Sequence, residues 1–177
     1  GGPAGMEAAL VAALRGHQVT LYEKEAQLGG NLIAASALAL KQDIRRLLEH
    51  QTAQLRQHQV EVILGQAATV EDVRRRRPDV VVMATGAVSA VPEVPGLEKN
   101  HVAEAVGVLT GKAGAGQRVI VVGGGMVGCE VAEFLAERGN QVSIVEMLPS
   151  VAADMEPFNR AGLLERLTEL KLSLLTE

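Results

Sequence analysis

The chain contains no tryptophan, one tyrosine and two phenylalanines, so aromatic residues make up only 2% of it. A core must then be built from Ala, Val and Leu, and small side chains of that kind suit helices laid closely on a parallel sheet. Cys129 is the single cysteine. This excludes a disulfide framework and any CxxC redox or metal pair, and it fits a reducing, cytoplasmic compartment. No apolar run approaches the roughly 18 residues of a membrane span. Basic residues are outnumbered, 17 Lys and Arg against 21 Asp and Glu, for a net charge of −4. That balance argues against nucleic acid or an anionic membrane as a partner. The one basic run, Arg74 to Arg77, reads as a solvated helix end before Pro78 rather than a phosphate patch. No initiator Met is present, and the opening Gly1-Gly2-Pro3 reads like the interior of a motif, as in a piece of a larger protein.

What is present begins with a repeat. Residues 1–23 lie over residues 124–146 without a gap, Glu23 falling on Glu146. Gly1, Gly2, Gly5, Glu7, Ala9, Ala13, Arg15, Gly16, Gln18, Val19 and Glu23 recur as the same residue in the second copy. Each copy reads as glycines, then a helix with small residues such as Ala8, Ala9, Ala12 and Ala13 on one face, then a glycine at the helix end, Gly16 or Gly139. A short buried strand follows, Val19 to Tyr22 or Val142 to Val145. The second copy also keeps a leading strand, Arg118 to Val122, so that strand, glycine turn, helix and strand form a βαβ unit with a parallel sheet. The first copy has no such strand, and an exposed or substituted sheet edge is expected there.

Between the copies, Lys41 to Gln57 reads as a helix with Ile44, Leu47, Leu48 and Leu55 as its apolar positions. Val60 to Leu64 and Asp79 to Met83 read as strands, and Lys112 to Gly116 as a Gly-rich link. After Glu146, Pro157 to Leu170 reads as a helix and Lys171 to Leu175 as a strand.

The glycines carry the chemistry. Gly123-x-Gly125-x-x-Gly128 has the spacing in which the first glycine permits a tight turn, the second admits a pyrophosphate to the backbone and the third lets helix and strand pack closely. Free N–H groups and the positive end of the helix dipole then hold the phosphates. Glu146 stands 18 residues beyond Gly128 at the tip of the second strand, where it can accept from both hydroxyls of an adenosine ribose. A 2′-phosphate would meet that carboxylate, and Met147 and Leu148 offer no cation, so the pattern favours NAD(H) over NADP(H). In the first copy Gly2, Pro3, Ala4 and Gly5 form the turn and Glu23 takes the ribose role. The loop Gln27 to Asn31 could close over a pyrophosphate, or be an ordinary turn before a helix.

GPAGMEAA, VTLYEKEAQLGGNL, DVVVMATGA and VIVVGGGMVGCEVAEFLAERG with a closing IVEM together resemble the two-dinucleotide-fold flavoproteins of the pyridine nucleotide-disulfide oxidoreductase superfamily. The likeness is greatest to the C-terminal FAD/NAD region of NADH:flavin oxidoreductases of the 2-enoate reductase, 2,4-dienoyl-CoA reductase and trimethylamine dehydrogenase type, and it covers nearly the whole chain. The resemblance implies an α/β fold of two Rossmann-like units in tandem, both incomplete: residues 1–111 for the ADP half of FAD, lacking its first strand, and residues 112–177 for NAD(H), truncated at its C-terminal end. It implies that Gly2, Pro3, Ala4, Gly5, Glu23, Lys24, Gly30, Asn31 and Leu32 line the FAD site, with Thr85 and Gly86 on a turn near the flavin. Gly123, Gly125, Met126, Val127, Gly128 and Glu146 would line the NADH site. An N-terminal FMN barrel domain and an iron–sulfur cluster are expected of such relatives and find no counterpart in residues 1–177; a homo-oligomer is compatible with the type.

The expected function is an electron-input module that passes hydride from NADH to FAD for reduction of an enoate-like or related substrate in another domain. The piece by itself is expected to be inactive and to bind FAD poorly. No side chain demands a catalytic acid–base role, since His17, His50, His58 and His101 are scattered and read as surface residues. Two alternatives stand beside this: a non-catalytic module holding ADP structurally, and a disulfide reductase, which the lone Cys129 disfavours.

Overall fold

Both copies of the repeat fold as a helix closed by a left-handed glycine and followed by a parallel strand. In the computed structural model, which describes residues 1–177, the chain divides into two compact units, Gly1–Ala90 and Val91–Glu177.

In the first unit, α1 (Pro3–Leu14) starts at Gly2, with proline at the first helical position, where its missing N–H is no loss. It ends at Gly16, whose φ is +87°. There the Gly16 amide donates to Ala13 O at 2.9 Å and the His17 amide to Ala12 O at 3.1 Å, the paired closure that a left-handed glycine permits. β1 (Thr20–Tyr22) follows, then α2 (Asn31–Ala35) and α3 (Gln42–Gln57). β2 (Glu61–Ile63) pairs in parallel with β1. α4 (Val70–Arg76) is opened by a capping box between Thr69 and Asp72, each satisfying an orphan amide of the other. The core consists of Met6, Ala9, Leu28, Leu55 and Val60, with Leu10, Ala13, Val19, Leu21, Leu48 and Val62 packed against it.

The second unit comprises α5 (Ala105–Leu109), β3 (Arg118–Val122), α6 (Met126–Ala136), β4 (Gln141–Val145), α7 (Pro157–Glu169) and β5 (Ser173–Leu175). The three strands form one parallel sheet in the order β3-β4-β5. α6 buries Cys129, Val131, Ala132, Phe134 and Leu135, and α7 buries Leu163 and Leu167. Gly139 repeats the closure of α1: φ is again +87°, its amide donates to Ala136 O at 2.9 Å, and the Asn140 amide donates to Leu135 O at 3.2 Å. The α6–α7 contact carries an ion pair, in which the Arg166 guanidinium donates to both carboxylate oxygens of Glu133, a residue only 2% exposed.

Several expectations are corrected. Asp79 to Met83 does not form a strand, and Val80 and Met83 are about three-quarters exposed at 77% and 76%. A Cβ on Gly5 would lie 3.4 Å from Ala84 Cβ and 3.5 Å from Leu21 Cδ1. The segment therefore ends under the same helix as β1, yet the unit's sheet contains only β1 and β2, and an extended segment without a ladder partner is not a strand. Leu47 is exposed rather than core-facing. Residues 91–111 lie in the second compact unit, where α5 lies against α6. The basic run does close α4 before Pro78, as expected, and Arg76 in it also makes two hydrogen bonds to the Glu61 carboxylate, at 2.6 and 2.8 Å, and others to Tyr22 Oη and Thr20 Oγ1, tying α4 to both strands.

Candidate functional site

The glycine turn of the second unit is built by exclusion. Gly123 takes φ +97° and its amide donates to Val145 O at 2.9 Å, joining the turn to the tip of β4. A Cβ on Gly128 would fall 1.9 Å from Gly123 O, a clash with backbone that no rotamer relieves. Gly124 is filled on its other side by Val151 and Glu146, whose atoms would stand 2.8 and 3.0 Å from a Cβ there. Gly125 then caps α6, leaving Met126 and Val127 exposed on its first turn.

Glu146 sits at the strand tip against this turn. Its Oε2 accepts from the Gly124 amide at 2.6 Å and its Oε1 from the Leu148 amide at 2.8 Å. The Leu148 amide first, and then the Gly124 amide, hold the carboxyl below its usual range, against burial and the nearby charge of Asp154. A carboxylate offers about four acceptor positions, so two remain for a ribose diol.

The first unit repeats this arrangement. Gly2 caps α1 with φ −79° and ψ −177°, and Gly125 caps α6 with φ −67° and ψ −178°. Glu23 Oε1 accepts from the Glu25 amide at 2.9 Å, and Oε2 lies 3.1 Å from the Gly1 nitrogen. Burial pushes the Glu23 carboxyl up, but the Glu25 amide first, and then the Gly1 nitrogen and the Lys24 amide, hold it below the usual range. The second glycine loop closes on this turn: the Gly29 amide donates to Gly1 O at 2.8 Å, and Gly30, at φ +51°, would place a Cβ 3.0 Å from Gly2 Cα. Gly2, Pro3, Glu23 and Gly30 are thus brought together. Lys24 and Asn31 lie exposed beside them and Leu32 is half-buried. Ala4 is exposed and Gly5 buried on the first turn of α1. Thr85 and Gly86 are exposed in the unpaired segment, with Gly86 at φ +72°.

The sequence reading did not find residues 151–154, which complete the second turn. The Ala152 amide donates to Gly124 O, Val151 is buried against Gly124, and the Asp154 carboxylate accepts from the Met126 amide at 2.9 and 3.2 Å. Only the position of an acid eight residues after Glu146 could have hinted at this, and such an acid is indistinguishable in sequence from a loop residue. Cys129 is buried, donates its Sγ–H to Gly124 O at 3.3 Å, and has its thiol pushed up to about 11, chiefly by burial. It is a packing residue in its neutral form and no redox partner. Of the histidines, His17, His50 and His101 are exposed and His58 is half-buried. No cluster of His, Cys, Asp or Glu suited to a metal ion is present among the described residues, and no helix is long and apolar enough to cross a membrane.

The chain is 46% identical to an NADH oxidase of Thermoanaerobacter brockii, over 99% of this chain and 28% of that protein. It is 43% identical to a cinnamate reductase of Clostridium sporogenes, over 83% of this chain and 22% of the relative. It thus spans about a quarter of the length of these curated relatives. Among solved structures, a 2-naphthoyl-CoA reductase in complex with 2-naphthoyl-CoA matches with a TM-score of 0.94 and 30% identity, over 99% of this chain and 26% of that one. The family model for pyridine nucleotide-disulphide oxidoreductase matches residues 1–177. With its duplicated glycine turn, strand-tip acid and parallel sheets, the chain belongs to the pyridine nucleotide-disulphide oxidoreductase family.

Proposed function

We propose that this chain is the electron-input part of an NADH-dependent flavin oxidoreductase, holding the ADP half of FAD in its first unit and NADH in its second. The observation that carries this reading is the hydrogen-bonded placement of Glu146 on the Gly123–Gly128 turn, twinned by Glu23 on the Gly1–Gly5 turn. In each unit a helix N-terminus, a glycine turn and a carboxylate with unused acceptor positions converge, which suits a pyrophosphate and its adjoining ribose.

On this reading Gly2, Pro3, Ala4, Gly5 and Gly30 cradle the FAD pyrophosphate, and Glu23 takes the ribose. Lys24, Asn31 and Leu32 border that site, and Thr85 and Gly86 lie toward the flavin. Gly123, Gly125, Met126, Val127 and Gly128 cradle the NADH pyrophosphate, and Glu146 takes the ribose diol. When bound, the nicotinamide supplies hydride and the flavin accepts it; the residues of this chain bind and orient rather than transfer protons. Glu146 favours NADH because it repels a 2′-phosphate. The cinnamate and 2-naphthoyl-CoA reductases among the relatives support an enoate-like or related substrate, reduced in another domain. The remaining length of those relatives leaves room for an FMN barrel and an iron–sulfur cluster.

The test is rapid-mixing reduction of the flavin of the full-length protein with each pyridine nucleotide. NADH is expected to exceed NADPH in kcat/KM by about ten-fold or more, the scale of one lost polar contact with added repulsion. Preference for NADPH, or purification without flavin, would overturn the reading.

A further inference from the structure

The Met126 amide is the first N–H of α6, and on the proposed function it is a donor to the NADH pyrophosphate. In the structure this amide already has an anionic acceptor, because both Asp154 carboxylate oxygens lie on it, at 2.9 and 3.2 Å. The contact is built rather than incidental. The backbone of its loop is pinned to the glycine turn by the bond from the Ala152 amide to Gly124 O. Val151 is buried against Gly124, and the Arg160 guanidinium donates to Val151 O at 3.0 Å. The carboxylate also lies close over Gly125, where a Cβ would stand 3.3 Å from Asp154 Oδ2. The loop backbone is thus held while the Asp154 side chain itself is exposed.

We infer that Asp154 is an internal stand-in for the dinucleotide pyrophosphate, which must leave the Met126 amide when the cofactor binds and so sets the affinity of the site. One N–H cannot serve two anions at full strength, and a carboxylate left beside the pyrophosphate adds like-charge repulsion. Apparent affinity is the intrinsic affinity multiplied by the fraction of molecules in which the amide is free. The role differs from that of Glu146, although the two charges lie near each other: Asp154 acts on the phosphates, and Glu146 on the ribose. Tight capture of the oxidised cofactor would slow turnover, so a built-in competitor is useful to an enzyme that must release NAD+ after each hydride transfer.

The inference rests on the NADH reading, and the experiment separates the two. Asp154→Asn and Asp154→Ala are made in the full-length protein, and the dissociation constant of ADP-ribose is measured by titration calorimetry. Adenosine, which has the ribose diol but no phosphate, is measured as a competitor. In both variants the ADP-ribose constant is expected to fall about three- to ten-fold while the adenosine constant stays unchanged. Unchanged or weaker ADP-ribose binding in the variants overturns the inference and leaves the NADH reading intact. Equal tightening of adenosine overturns it too, by placing the effect at the ribose. Failure of the wild-type protein to bind either ligand removes the NADH reading, and this inference with it.

Discussion

The Glu146 carboxylate accepts a hydrogen bond of 2.6 Å from the Gly124 amide, so the acid that would read the ribose also holds the phosphate turn in shape. The same pairing joins Glu23 to Gly1 in the first unit. On the proposed function a strand-tip acid of this kind is a specificity element as well as a structural acceptor, and replacing it should disturb both roles.

Glu146→Ala in the full-length protein is expected to raise KM for NADH about ten-fold or more and to narrow the NADH/NADPH ratio. Glu146→Gln should do little better, because its amide nitrogen would face either the Gly124 or the Leu148 N–H, donor against donor. Steady-state kinetics with both cofactors checks this, and an unchanged ratio would reduce Glu146 to a strand-end surface residue.

The depressed Glu146 carboxyl carries a pH signature. Its folded pKa lies below the ordinary 4.5, so its contribution to stability is full above about pH 5 and is lost as pH falls through the lowered folded value. Thermal melts between pH 3 and 7 should show a slope below about pH 4.5 that Glu146→Ala blunts.

Gly128→Ala must move the Gly123 carbonyl from its place, since the new methyl would stand 1.9 Å from that oxygen. NADH affinity is expected to fall about a hundred-fold or more. Gly30→Ala combines an unfavourable φ of +51° with a 3.0 Å approach to Gly2 Cα and should lower the flavin content of the purified protein. Gly114→Ala, with open space around it, is the neutral control. Flavin absorbance per protein and NADH titration distinguish the three.

Cys129 should resist alkylation. With its thiol pushed up to about 11, reaction with iodoacetamide at pH 8 should be far slower in the folded protein than after denaturation. The raised value also means that stability is fully present below the unfolded cysteine range and declines as pH rises from about 9 toward 11. Rapid labelling of the native protein at pH 8 would contradict the buried placement.

Arg166→Ala leaves Glu133 buried without its cation. Breaking a buried pair costs about 3 kcal/mol or more, and the partial exposure of Arg166 reduces this to about 2 kcal/mol. Denaturant unfolding should show it as a lowered midpoint, and Glu133→Gln in the same background should recover part of the loss, by relieving the stranded charge.

The sequence by itself determined the duplication, the two glycine turns, the left-handed helix ends at Gly16 and Gly139, and the strand-tip acids. Most of these are local: a glycine is favoured where φ is positive, as at Gly16 and Gly139, or required where a Cβ would strike the neighbouring backbone, as at Gly128, and an acid two residues before an N–H can accept from it. Only the tertiary structure decided whether Val80 to Met83 became a strand, because the same apolar run is a strand with a ladder partner and an exposed segment without one. The reach of Arg76 from α4 to Glu61, Tyr22 and Thr20 depends on how helix and sheet stack. The placement of Asp154 on the Met126 amide depends on Ala152, at φ +53°, folding its loop back over a turn formed nearly thirty residues earlier. A carboxylate in an exposed loop carries no mark in sequence of the amide it will meet, since that distance is set by the packing of the loop and not by its own residues.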